Sequence, residues 1–188
     1  MNISITYVLI GINVLVYIAE SIAGGSSDTK TALRFGAQYT PLLEKGQVFR
    51  LFTAMFLHFG TFHLICNMYS LYNLGPSLEY FFGAQWFLAV YFVSGLSGNI
   101  LTWLIEKRTH KYSVSAGASG AIFGLLGAYL VIALWPSLRG SVSLYNILYV
   151  IIVNALYGFS RRGINLAAHL GGFAGGILIT LLLLFFTA

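Results

Sequence analysis

Few side chains in this sequence can do chemistry, and almost all of them stand in apolar surroundings. His58 and His63 lie where an apolar stretch opens, with Asn67 one turn after His63. Ser119 stands near the start of a second stretch and His169 near the start of a third. A serine hydroxyl is a weak nucleophile at neutral pH and needs a general base within hydrogen-bond reach. Histidine has the matching pKa, and His169 is the histidine of the last apolar stretch. The tetrahedral intermediate of acyl transfer needs donors at its oxyanion. His63, the Asn67 amide and backbone N–H groups around Ser119 could supply them. The N-terminus of the helix that Ser119 opens would add its positive dipole end. No Asp or Glu follows Gly117 in the chain, so an acidic third member is not at hand. A Ser–His dyad hydrolysing an amide is the economical reading.

Each residue also has a plainer role. A serine within a membrane helix often bonds back to its own backbone, and a lone histidine often bridges two helices. His58, His63 and His169 could group around a metal, but neither an HExxH pattern nor a carboxylate ligand accompanies them. No metal and no cofactor is therefore expected. Cys66, the single cysteine, reads as a packing residue, and Glu79 as the partner of a loop cation such as Arg50. His58 is placed nearer the membrane surface than His63 and outside the site.

The elements that must carry these residues follow from composition. Of 188 residues, 58% are hydrophobic and only 8% charged, against about a quarter charged in soluble domains. That excludes a soluble globular domain, a disordered chain and a disulfide scaffold, and points to an integral membrane protein. The formal charge of +5 is scattered between apolar runs. It reads as interfacial anchoring to a lipid bilayer, and no nucleic-acid partner is expected. Six apolar stretches stand out, at about 3–22, 61–82, 84–105, 117–135, 142–159 and 164–187. Each approaches the ~20 residues that span a bilayer as a helix. Their continuous apolar character is that of helices, since barrel strands alternate. The fold class is all-α, a polytopic bundle in one membrane domain covering 1–188. The first stretch lacks a preceding Lys or Arg and reads as a retained helix rather than a signal peptide. The long connection from about 23 to 60 is apolar enough to pack on the bundle or lie in the interface.

In a serial six-span bundle, the second, fourth and sixth helices run in one direction. His63 with Asn67, Ser119 and His169 then fall within about 10 Å of the same membrane face. Gly120, Gly124 and Gly127 share one face of the fourth helix, and Gly172 and Gly176 share the His169 face of the sixth. Small residues at this spacing let two helix backbones approach closely, as a hydrogen bond from Ser119 to His169 requires.

The stretch from Arg50 to Asn67, with His58, His63 and Asn67 in the pattern HxxxxHxxxN, resembles the signature of the rhomboid intramembrane serine proteases. Gly75, Glu79 and Gly83 resemble the family's GxxxExxxG. Gly117-Ala118-Ser119-Gly120 matches GxSG, and the run from Ala168 through Gly176 matches AHxxGxxxG. Each motif alone is weak, but the four occur in family order. The resemblance implies a minimal six-helix bacterial form in the cell membrane. It implies Ser119 as nucleophile and His169 as base, with His63, Asn67 and the Ser119 backbone at the oxyanion and Gly117 beside them. Phe123 falls where the family stacks an aromatic on the catalytic histidine. The resemblance also implies partial insertion of the first loop into the bilayer, a lateral gate at the fifth helix, and single-span membrane proteins as substrates. One feature runs against it. Of the ten Lys and Arg, all but Arg139 lie in the first, third and fifth connections, which the family places outside and the positive-inside rule would place inside. Orientation here follows the family. A non-catalytic client-binding relative is disfavoured because Ser119 and His169 are both present. A small transporter or channel would show inverted repeats or polar groups through the full depth.

Overall fold

Apolar runs punctuated by glycine set the helix boundaries. The computed structural model describes residues 4–138, 143, 145, 147–149, 152 and 165–187. Helix α1 (Ile5–Ala23) stops at Gly24. The following connection holds three short helices, α2 (Thr29–Phe35), α3 (Thr40–Leu43) and α4 (Arg50–Thr53), and a 3-10 turn at Ala54–Phe56. Helix α5 (Thr61–Phe82) lies between Gly60 and Gly83, whose φ values of 84° and 78° suit glycine. Helix α6 (Ala84–Thr109) follows after the single residue Gly83, then α7 (Ser119–Leu134) and α8 (Leu166–Thr187). Among the described residues there is no β-strand, only an isolated bridge between Gln38 and Ser115. The protein is an all-α polytopic membrane protein. By length and composition α1, α6 and Leu166–Phe186 can each cross a bilayer, and Arg50–Phe56 with Thr61–Phe82 forms a further candidate bent by 90°. The fifth expected span, 142–159, with its proposed gate, lies outside the described residues.

Among the described residues, helix α7 is the shortest of the long helices. It begins at Ser119 rather than at 117 and has 16 residues. At 1.5 Å per residue that is about 24 Å, short of a ~30 Å hydrocarbon core. Irregular chain from Lys111 to Gly117 leads into it. Irregular backbone beside a span must have its polar groups satisfied, and here it does. Gln38 and Ser115 exchange both backbone hydrogen bonds at 2.9 Å, and Gly117 N donates to Ala54 O at 2.9 Å. The chain therefore delivers Ser119 from a segment braced by these hydrogen bonds.

Helices α6, α7 and α8 pack most extensively against one another, and glycine makes this possible. A methyl group at Gly172 would meet the backbone of Gly120, and one at Gly176 the backbone of Gly124. The expected small-residue seam between these two helices is present. Helix α6 joins it through Gly98, where a methyl would meet Ala168 O.

Two placements of charged residues differ from expectation. Glu79 does not pair with Arg50. Its carboxylate accepts from Ser4 Oγ (2.6 Å), Ile5 N (2.7 Å), Thr6 N (2.9 Å) and Thr6 Oγ1 (2.8 Å). The physical reason is the start of α1: its orphan N–H groups meet Glu79 directly, where Gly75 lets Thr6 approach α5. Arg50 instead stitches the first connection together. It donates to Gln47 Oε1 (2.7 Å), Leu33 O (2.8 Å) and Ala37 O (2.9 Å). That connection is packed as expected, with Ala32, Ala37 and Leu57 forming a small core of their own.

Candidate active site

Three helix starts converge. Ser119 is the first residue of α7, and His169 lies in the first turn of α8. The glycine seam brings the two together: Ser119 Oγ and His169 Nε2 are 3.0 Å apart. With Nε2 unprotonated the serine hydroxyl donates and the imidazole accepts, the geometry a general base needs. The Phe123 ring, one turn along α7, stacks on the His169 ring with centroids 4.1 Å apart and planes 13° from parallel. The stack confines the imidazole to one plane. It leaves Nε2 free at the edge, toward Ser119.

His63 and Asn67 come from the first two turns of α5. Gly117 locates them relative to the serine. Its φ is 135°, and a methyl group there would sit 2.9 Å from His63 Nε2 and 3.5 Å from Asn67 Nδ2. Both conformation and space therefore demand glycine two residues before Ser119. Asn67 is buried, and its Nδ2 has no hydrogen-bond partner among the described residues. An unpaired donor there is costly unless it serves a transient charge. The backbone N–H groups at the start of α7 are also free of intrahelical bonds. Amide donors and a helix dipole thus face the space in front of Ser119.

That space is a cavity of about 700 Å³, lined by Phe59, Phe62, His63, Asn67, Ser119, Phe123 and His169 among others. Cys66 also lines it and is exposed, not a core packing residue as expected. Its position between His63 and Asn67 on the helix turns it toward the opening. His58 does not line the cavity. It is 1% exposed, its backbone N donates to Glu20 Oε2 at 3.2 Å, and its ring meets the His63 ring at 5.1 Å. It sits at the 90° bend that leads into α5, packed inside the protein. Among the described residues no three His, Cys, Asp or Glu side chains are grouped as a metal site would need.

Two polar residues near the site were not singled out from the sequence. Glu106 accepts from Thr40 Oγ1 (2.6 Å), Ser113 Oγ (2.6 Å) and Ser113 N (3.0 Å), holding the end of α6 to α3 and to the segment before α7. Asn165 precedes the first residue of α8, and its Oδ1 accepts from Ala168 N at 3.0 Å. An Asn immediately before an apolar helix is a helix-start signal, and it was available to find this residue.

Residues 45–186 match the Rhomboid domain. The chain belongs to the rhomboid family. It is 37% identical over 172 residues to rhomboid protease GluP of Bacillus subtilis (strain 168), covering 91% of this chain and 33% of that protein. It is 38% identical over 157 residues to RHOMBOID-like protein 5 of Arabidopsis thaliana, covering 82% and 50%. To Rhomboid-like protease 3 of Toxoplasma gondii it is 31% identical over 170 residues, covering 87% and 63%. The chain thus spans a third to under two thirds of the length of these relatives. The rhomboid match covers α4 to α8, the elements that bring Ser119, His169, His63 and Asn67 together.

Proposed function

We propose that this rhomboid is an intramembrane serine endopeptidase, with residues 1–188 acting as one membrane domain in a bacterial cell membrane. The observation that carries the reading is the 3.0 Å approach of Ser119 Oγ to His169 Nε2 at the converging helix starts. Ser119 attacks the carbonyl carbon of a peptide bond in or beside a transmembrane segment, and His169 takes the hydroxyl proton. The oxyanion is met by Asn67 Nδ2, His63 and backbone N–H groups at Ser119, with Gly117 keeping that space open. His169 returns the proton to the leaving amine. Water then repeats the sequence on the acyl-enzyme and frees the carboxylate product. Phe123 holds the imidazole for both steps.

Purified protein reconstituted with a model single-span substrate tests this. Ser119→Ala and His169→Ala are each expected to abolish cleavage while remaining folded. The double variant should be little worse than either, because the pair acts as a unit. Substantial cleavage by Ser119→Ala would overturn the serine mechanism.

A further inference from the structure

The proposed dyad joins two segments far apart in sequence, so something must fix their separation more tightly than glycine packing alone. Packing sets how close two helices come; it restrains sliding along the seam weakly, because small residues offer few interlocking side chains. A directional tether does what packing cannot.

Asn165 has the geometry of such a tether. Its backbone oxygen accepts from the His169 N–H at 3.2 Å, and its Oδ1 accepts from Ala168 N at 3.0 Å. It therefore caps the turn that carries His169. Its Nδ2 donates to Ser115 Oγ at 2.9 Å. Ser115 belongs to the braced segment, four residues before Ser119, where its backbone is bridged to Gln38. Oδ1 also accepts from Thr102 Oγ1 at 3.2 Å, which adds α6. One amide thus touches the histidine-bearing turn, the segment that leads into Ser119 and the third helix of the seam. It also lines the cavity.

We infer that Asn165 is a positioning residue that sets the register between His169 and Ser119, by tying the first turn of α8 to Ser115. This rests on the Ser119–His169 reading above. Misplacement of reacting groups by about an ångström can cost two orders of magnitude in rate, so loss of the tether should slow each active site rather than merely lower the number of folded ones. Aspartate can replace it, because Ala168 N–H and the Ser115 and Thr102 hydroxyls can all donate to a carboxylate. Alanine can accept from none of them.

Active-site titration with a fluorophosphonate separates the two effects, since its end point counts competent sites and its time course gives the rate per site. Asn165→Ala should acylate about ten-fold more slowly per competent site, with Asn165→Asp within about three-fold of wild type. Ser115→Ala, which removes one link and leaves the helix cap, should slow each site by a few-fold. It keeps the test decisive if Asn165→Ala folds poorly. A wild-type rate per site in Asn165→Ala, with loss only in the end point, would overturn the inference in favour of a purely structural cap. So would an Asp variant as slow as Ala, or an unchanged Ser115→Ala. Labelling that survives Ser119→Ala would overturn the dyad reading itself, and the tether with it. The Asn165 and Ser115 results count against the tether alone only where Ser119→Ala stays unlabelled.

Discussion

At the scale of single residues, the proposed chemistry turns on donors that have no partner until a charge develops. Asn67 is the clearest case: buried, with Nδ2 unpaired beside Gly117 and the start of α7. Removing one oxyanion donor typically costs about 10²–10³ in rate, or roughly 3–4 kcal/mol of transition-state stabilisation. Asn67→Ala should therefore lose about that much in single-turnover rate, with substrate affinity little changed. A comparable rise in KM at unchanged turnover would show that Asn67 binds substrate instead. Ser119, His169, His63 and Asn67 were legible in the sequence because polar types are rare in apolar runs, and their positions near helix starts gave a common depth. The burial of His58 was not, because it depends on the 90° bend into α5 and on Glu20 from α1. Neither the spacing to His63 nor residue type carries that information. Asn165 was missed although its position before an apolar helix is a recognisable cap signal.

At the scale of elements, glycine contacts decide how close α7 and α8 can come. A methyl at Gly172 meets the backbone of Gly120, which cannot yield as a side-chain tip can. Gly172→Ala should therefore cost about 1–3 kcal/mol through overpacking, lower the unfolding midpoint and slow cleavage, since the seam also sets the Ser119–His169 distance. Wild-type stability and rate in Gly172→Ala would refute the close-approach argument. Glu79 makes a contrasting case. It accepts four hydrogen bonds at the start of α1, and it lies 16 residues along α5 from His63, about 24 Å at helical rise. Glu79→Ala should lower the unfolding midpoint, with a loss on the order of 2 kcal/mol, while turnover per folded molecule stays near wild type. The helices themselves were readable from apolar length and glycine boundaries. The bracing of the segment before α7 was not, because it comes from tertiary hydrogen bonds of Ser115 to Gln38 and of Gly117 to Ala54. The Glu79 contact was also hidden, because it depends on which helix end lies opposite.

At the scale of the whole molecule, three helix starts and one braced segment place a hydroxyl, an imidazole and an unpaired amide donor around a cavity in a membrane protein. The fold class and four of the helices that carry or support the site follow from composition and the serial order of apolar runs. What composition could not supply is the internal anchoring of the first connection. It reads as a long loop, yet Arg50 stitches it together and the Gln38–Ser115 bridge ties it to the segment before Ser119. The central claim is that this assembly makes Ser119 a nucleophile through His169. The most direct measurement is fluorophosphonate labelling of the protein in lipid, followed by peptide mapping. A single adduct on Ser119 is expected, absent in Ser119→Ala and in His169→Ala. An adduct on another residue, or undiminished labelling in His169→Ala, would contradict it.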